Sequence, residues 1–165
     1  MLLLLKSFFD IIALRRGPES IPSSMFVLTF AIVLMLASSY PAYLITASEE
    51  SHYATAFFAY GAGILFYAAV IVLAGRAERL LVAVSCIIAC GSLLTIVFAL
   101  EFAIFAPLLG RVEAGAIASM IILWSVPVEG HIMSKSIGCH WLLGLLIAIA
   151  SLVTQIGVQA MLGGS

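Results

Sequence analysis

The sequence predicts an all-α protein: a polytopic membrane helix bundle of five transmembrane helices, preceded by a short amphipathic interfacial helix. Three observations point there. Of 165 residues, 64% are hydrophobic and 9% charged, against roughly 25% charged in a soluble domain. The apolar residues form runs long enough to span a bilayer, about 20 residues each. Apart from Glu101 and Glu129, the charges fall between these runs and not inside them.

Taken in order, residues 1–24 form an amphipathic segment with a Pro-containing linker, and residues 25–165 form the transmembrane domain. Leu2, Leu5, Phe9 and Ile12 make one stripe of a helix, with Lys6 and Asp10 four apart on another. Thirteen residues are too few to span, so this helix is expected in the membrane interface. Lys6 and Asp10 interrupt the leucines and no charged segment precedes them, so the segment reads poorly as a cleavable signal peptide and is expected in the mature chain. Gly17, Pro18 and Pro22 end the helix.

The spans are expected at residues 25–47, 53–74, 80–102, 114–134 and 139–161. The link Gly75 to Arg79 is short enough to make the second and third antiparallel neighbours. With the N-terminus inside, Lys6, Arg15, Arg16, Arg76, Arg79 and Lys135 fall on the cytoplasmic side and only Arg111 on the other, as the positive-inside rule requires. The C-terminus then lies outside, with Glu49, Glu50, Glu101 and Glu113. Tyr40, Tyr43 and Tyr53 fall near the outer boundary and Trp141 near the inner one, as headgroup-level rings do. Pro41 and Pro127 are expected to kink their spans.

The densest polar stretch is SVPVEGHIMSKSIGCHW, residues 125–141. Glu129 precedes Lys135 by six residues, about 9 Å along a helix, so Glu129, His131, Lys135 and Cys139 are expected to cap a helix hairpin at the cytoplasmic interface and reach water or headgroups. Glu129 and His131 are two apart and point to different sides of a helix, which disfavours a shared metal. A zinc site would have to combine His131 or Glu129 with Cys139 and His140 across the turn, with Cys86 as a further ligand; haem would use His131 or His140. The expectation is no cofactor. Cys86, Cys90 and Cys139 include no CxxC pair and read as buried small hydrophobes, not as a disulfide framework or a redox site.

In the fifth span, His140, Gly144, Ala148, Ser151, Gln155 and Gln159 recur every three or four residues on one face. A small, polar face in lipid turns toward protein: the chain's own bundle, another subunit or a lined path. Ala59 with Gly63, Ala114 with Ala118, and Gly115 with Ser119 repeat the small-residue spacing. Glu101 is flanked by apolar residues and marks the outer boundary, with Arg111 as its natural partner. A formal charge of -1 gives no basic surface for nucleic acid, and no phosphate loop, nucleophile elbow or HExxH is visible.

The run LRRGPESIPSS at residues 14–24, with WSVPVEGHIM at residues 124–133, resembles a group of small uncharacterised bacterial inner-membrane proteins. The five-span, N-inside layout is similar to that of the Yip superfamily. This resemblance implies a bacterial inner-membrane location and supplies no catalytic residues; the DLYGP-type signature of eukaryotic Yip members is absent, so it implies no small-GTPase partner. The expected function is a non-enzymatic accessory or scaffold subunit whose partners are lipid and other membrane proteins or a second copy, docked through the fifth-span face. The alternatives are a small oligomeric transporter or channel with Gln155, Ser151, His140 and Glu129 lining a path, and a metal- or haem-binding membrane protein.

Overall fold

The computed structural model describes residues 2–46 and 53–163; Glu49, Glu50 and the side chain of Leu2 lie outside the described residues. It is an all-α bundle of six helices: α1 (Leu2–Ile12), α2 (Met25–Thr46), α3 (Tyr53–Leu73), α4 (Leu80–Leu109), α5 (Arg111–Ile137) and α6 (Trp141–Gly163). The last five are long and apolar enough to cross a membrane. Their ends follow local chemistry. Ser24 Oγ accepts the Val27 N–H at the start of α2. At the end of α5, Gly138 takes φ 72° and Cys139 N–H returns to the Ser134 carbonyl, a closure that favours glycine. His140 Nδ1 accepts the Leu142 N–H at the start of α6.

Helix α4 is the axis, packed between α2 and α5; α6 lies on α5, and α3 lies chiefly on α6. Ala83, Ser85, Cys86, Ala89, Cys90 and Ser92 are buried along α4, and such small side chains let neighbouring helices approach closely. The turn after Gly75 does make α3 and α4 antiparallel, but α6 is the main partner of α3. The helices run through Pro41, Pro107 and Pro127 without interruption.

Two boundaries differ from the sequence reading. Helix α4 continues to Leu109, and α5 begins at Arg111 after the single residue Gly110, whose φ is 102°. The expected loop at residues 103–113 is helical, because its alanines and leucines are strong helix formers and only Gly110 permits a sharp reversal. Glu101 therefore sits inside α4, eight residues or about 12 Å before its end. Its carboxyl oxygens are buried and have no hydrogen-bond partner among the described residues. Arg111 does not reach it: the guanidinium lies 5.4 Å from the Phe102 ring centroid and donates to the Ile45 carbonyl at 3.5 Å.

Helix α1 docks on α4 and α5. Phe8 and Ile11 are fully buried there, whereas Phe9, assigned to the apolar stripe, is 52% exposed. With leucines at four consecutive positions the helix is apolar in several directions, and contact with the bundle centres on Phe8 and Ile11, with Leu4, Leu5 and Ile12 packed beside them. Asp10 pairs with Arg16 at 3.4 Å, not with Lys6. Arg79 donates to the Lys135 carbonyl at 2.9 Å and His131 Nε2 meets the Arg16 carbonyl at 3.1 Å, so one end of the bundle gathers Arg16, Arg79 and Lys135. Arg111 lies at the opposite end, beside the end of α2.

Candidate functional site

The bundle holds a partly open cavity of about 390 Å³, within the 300–1,000 Å³ range of small-molecule sites. It lies among α2, α3, α4, α5 and α6 because α3 leans on α6 and leaves a gap toward α2. The α2 wall runs from Met35 to Tyr43 and the α3 wall from Tyr53 to Tyr60, so the cavity widens toward the α2–α3 end, away from the arginine-rich end. At that mouth Tyr53 is edge-on to Tyr40 and Tyr43, with ring centroids 6.0 and 5.3 Å apart, and its hydroxyl is 2.9 Å from Ser39 Oγ.

Glu129 is the lining residue closest to the arginine-rich end, eight residues or about 12 Å before the end of α5. The Tyr67 hydroxyl, on α3, donates to Glu129 Oε2 at 2.5 Å. Gln155, on α6, lines the same base and donates from Nε2 to Ser151 Oγ at 3.3 Å. The Tyr60 hydroxyl borders the cavity and has no hydrogen-bond partner among the described residues.

Two close approaches set this geometry. Helices α5 and α6 cross at Gly130 and Gly144: a Cβ on Gly130 would stand 2.9 Å from Leu145 Cα, and one on Gly144 would overlap the Gly130 carbonyl oxygen. Past this crossing α6 carries Ser151 and Gln155 toward α3 and the cavity. On α3, a Cβ on Gly63 would overlap the Gln155 amide, so the absence of a side chain there makes room for Gln155.

Glu129 thus lines the cavity and bonds Tyr67, apart from Lys135 at the turn. Charge separates from the cluster in the same way. Lys135 is exposed at the turn, His131 faces the N-terminal arm, and Cys139 Sγ lies 3.4 Å from the His140 carbonyl. His131, Cys139 and His140 do not converge, and no three His, Cys, Asp or Glu side chains among the described residues are placed to share a metal. Cys86 is buried in α4, on the side where α1 docks.

The α6 stripe also divides. Gly144, Ala148 and Ser151 are buried against α5 and α3, Gln155 faces the cavity, and His140 and Gln159 are exposed at the two ends. Its middle is internal packing, so it offers no continuous face to another subunit. The small residues at these positions are what allow the close α5–α6 crossing that covers them.

The chain matches no known protein family, no curated protein and no solved structure. The site must therefore be read from its own chemistry. Among the described residues Glu129 forms no ion pair; the two pairs present are Asp10 with Arg16 and Arg76 with Glu78. Among the described residues no Lys or Arg lines the cavity. A buried acid in such a place either keeps its proton or is balanced by a cation that enters through the cavity.

Tyr60 and Tyr67 were not singled out from the sequence. Their signal was there: Tyr60, Gly63 and Tyr67 are spaced three and four apart on one helix face, and mid-span phenols need hydrogen-bond partners.

Proposed function

We propose that this protein is a small membrane transporter whose solute binds at Glu129. The observation that carries the proposal is the placement of an acid, without a cationic partner among the described residues, on the wall of a cavity inside a bundle of membrane-length helices. An intramembrane ionisable residue facing a cavity marks a solute or ion path; Tyr67 holds the Glu129 carboxyl and Gln155 adds an amide to the cavity wall. The proposed location is a bacterial inner membrane, with the arginine-rich end cytoplasmic on the positive-inside rule. The cavity then opens outward, and α1 and the Gly138 turn lie behind its base.

A carrier must present one site to both sides in turn. The test is cysteine accessibility in reconstituted vesicles: Gln155→Cys, in a background with the three native cysteines replaced, is expected to react with an impermeant thiol reagent from either side. Glu129→Gln in that background is expected to alter the ratio of inward to outward labelling. Labelling from the outer side alone, unchanged by Glu129→Gln, would identify a static binding pocket and overturn the transporter reading.

A further inference from the structure

Resting on the transporter reading of the same cavity, we infer that its ligand is a small organic cation, held by Glu129 as counter-charge and enclosed by aromatic rings. Tyr43, Tyr53, Phe57, Tyr60 and Phe98 all line the cavity. Aromatic faces attract cations, most strongly where water is excluded, and here they stand between the mouth and the one acid at the base. A ligand with a positive centre and an apolar body satisfies both features: the charge meets Glu129, and the body meets rings and aliphatic side chains.

The competing ligand classes fit less well. An anion would meet Glu129 with no Lys or Arg on the wall. A bare divalent ion needs several converging ligands, whereas among the described residues Glu129 is the only carboxylate lining the cavity and no His or Cys joins it. A sugar needs many free donors, but Ser92, Thr95 and Ser125 donate their hydroxyl protons to carbonyls of their own helices at 2.7, 2.9 and 2.7 Å. The volume of about 390 Å³ also exceeds what a single hydrated inorganic ion fills and suits a compact organic molecule.

The test is calorimetric titration of the full-length protein in nanodiscs with choline, tetraethylammonium and benzyltrimethylammonium, and with 3,3-dimethylbutan-1-ol as the uncharged isostere of choline. At least one cation is expected to bind, with choline at least tenfold tighter than its isostere if choline is that cation. Glu129→Gln is expected to weaken cation binding at least tenfold, and Phe98→Leu, which leaves the carboxyl in place, severalfold. The comparison of choline with its isostere needs no variant, so a folding defect in Glu129→Gln leaves the proposal testable. Absence of binding by all three cations, or equal binding of cation and isostere, would overturn it. Two-sided labelling at Gln155→Cys with no cation binding would leave a transporter of another solute; cation binding with one-sided labelling would leave the ligand class and remove the transport.

Discussion

At the scale of single residues, the Tyr67 hydroxyl is the only hydrogen-bond donor seen on the Glu129 carboxyl among the described residues. Tyr67→Phe keeps the ring, which is 1% exposed, and removes that donor. Hydrogen bonds to charged groups contribute about 1.5–3 kcal/mol, so thermal unfolding in detergent is expected to show a loss of that order or less, with the fold retained. A variant as stable as the parent would mean that Glu129 finds another donor. Gly63→Ala acts on the neighbouring group: its methyl would displace Gln155, and labelling at Gln155→Cys is expected to change rate when Gly63→Ala is added. Glu129 was legible in the sequence as part of a polar cluster, but not as part of a cavity wall. Six residues of separation from Lys135 measure distance along α5 and say nothing about which neighbours cover the side chain.

At the scale of elements, the crossing of α5 and α6 holds the site together, and Gly144 there differs sharply from Gly157 further along α6. Gly144→Ala would push a methyl onto the Gly130 carbonyl, an overpacking expected to cost about 1–3 kcal/mol. Gly157→Ala meets nothing within 4 Å and is expected to stabilise α6 by about 0.5–1 kcal/mol, the usual gain of alanine over glycine in a helix interior. Paired thermal melts of the two variants check both signs; equal shifts would mean that α6 moves freely on α5. The stripe from His140 to Gln159 was visible from spacing. Whether it faced lipid, a partner or its own bundle was not, since a run of small residues suits any of the three. Helix α1 shows the same limit: its amphipathic character was readable, but its buried face was chosen by the surface formed by α4 and α5.

At the scale of the whole molecule, charge distribution and cavity direction give one testable orientation. Cys139 is partly exposed beside the α5–α6 turn, while Cys86 and Cys90 are buried. In oriented membrane vesicles an impermeant maleimide is expected to label Cys139 from the cytoplasmic side and to leave Cys86 and Cys90 unmodified. Labelling of Cys139 from the opposite side would invert the topology and turn the mouth of the cavity inward.

By itself the sequence determined the number of membrane-length helices, the positions of most turns and the gathering of most basic residues toward one end of the bundle. These depend on local quantities: the length of an apolar run against the bilayer thickness, the glycines that permit a reversal, and lysines and arginines that stay on one side. Only the tertiary structure decided that α4 and α5 meet at Gly110, that α3 rests on α6, and that Glu129 and Gln155 line one cavity while Tyr67 holds the Glu129 carboxyl. Helices that are apolar on nearly every face carry little information about which face turns inward, so the pairing was settled by close approach at small residues on different helices, a property of surfaces that exist only after the bundle has formed.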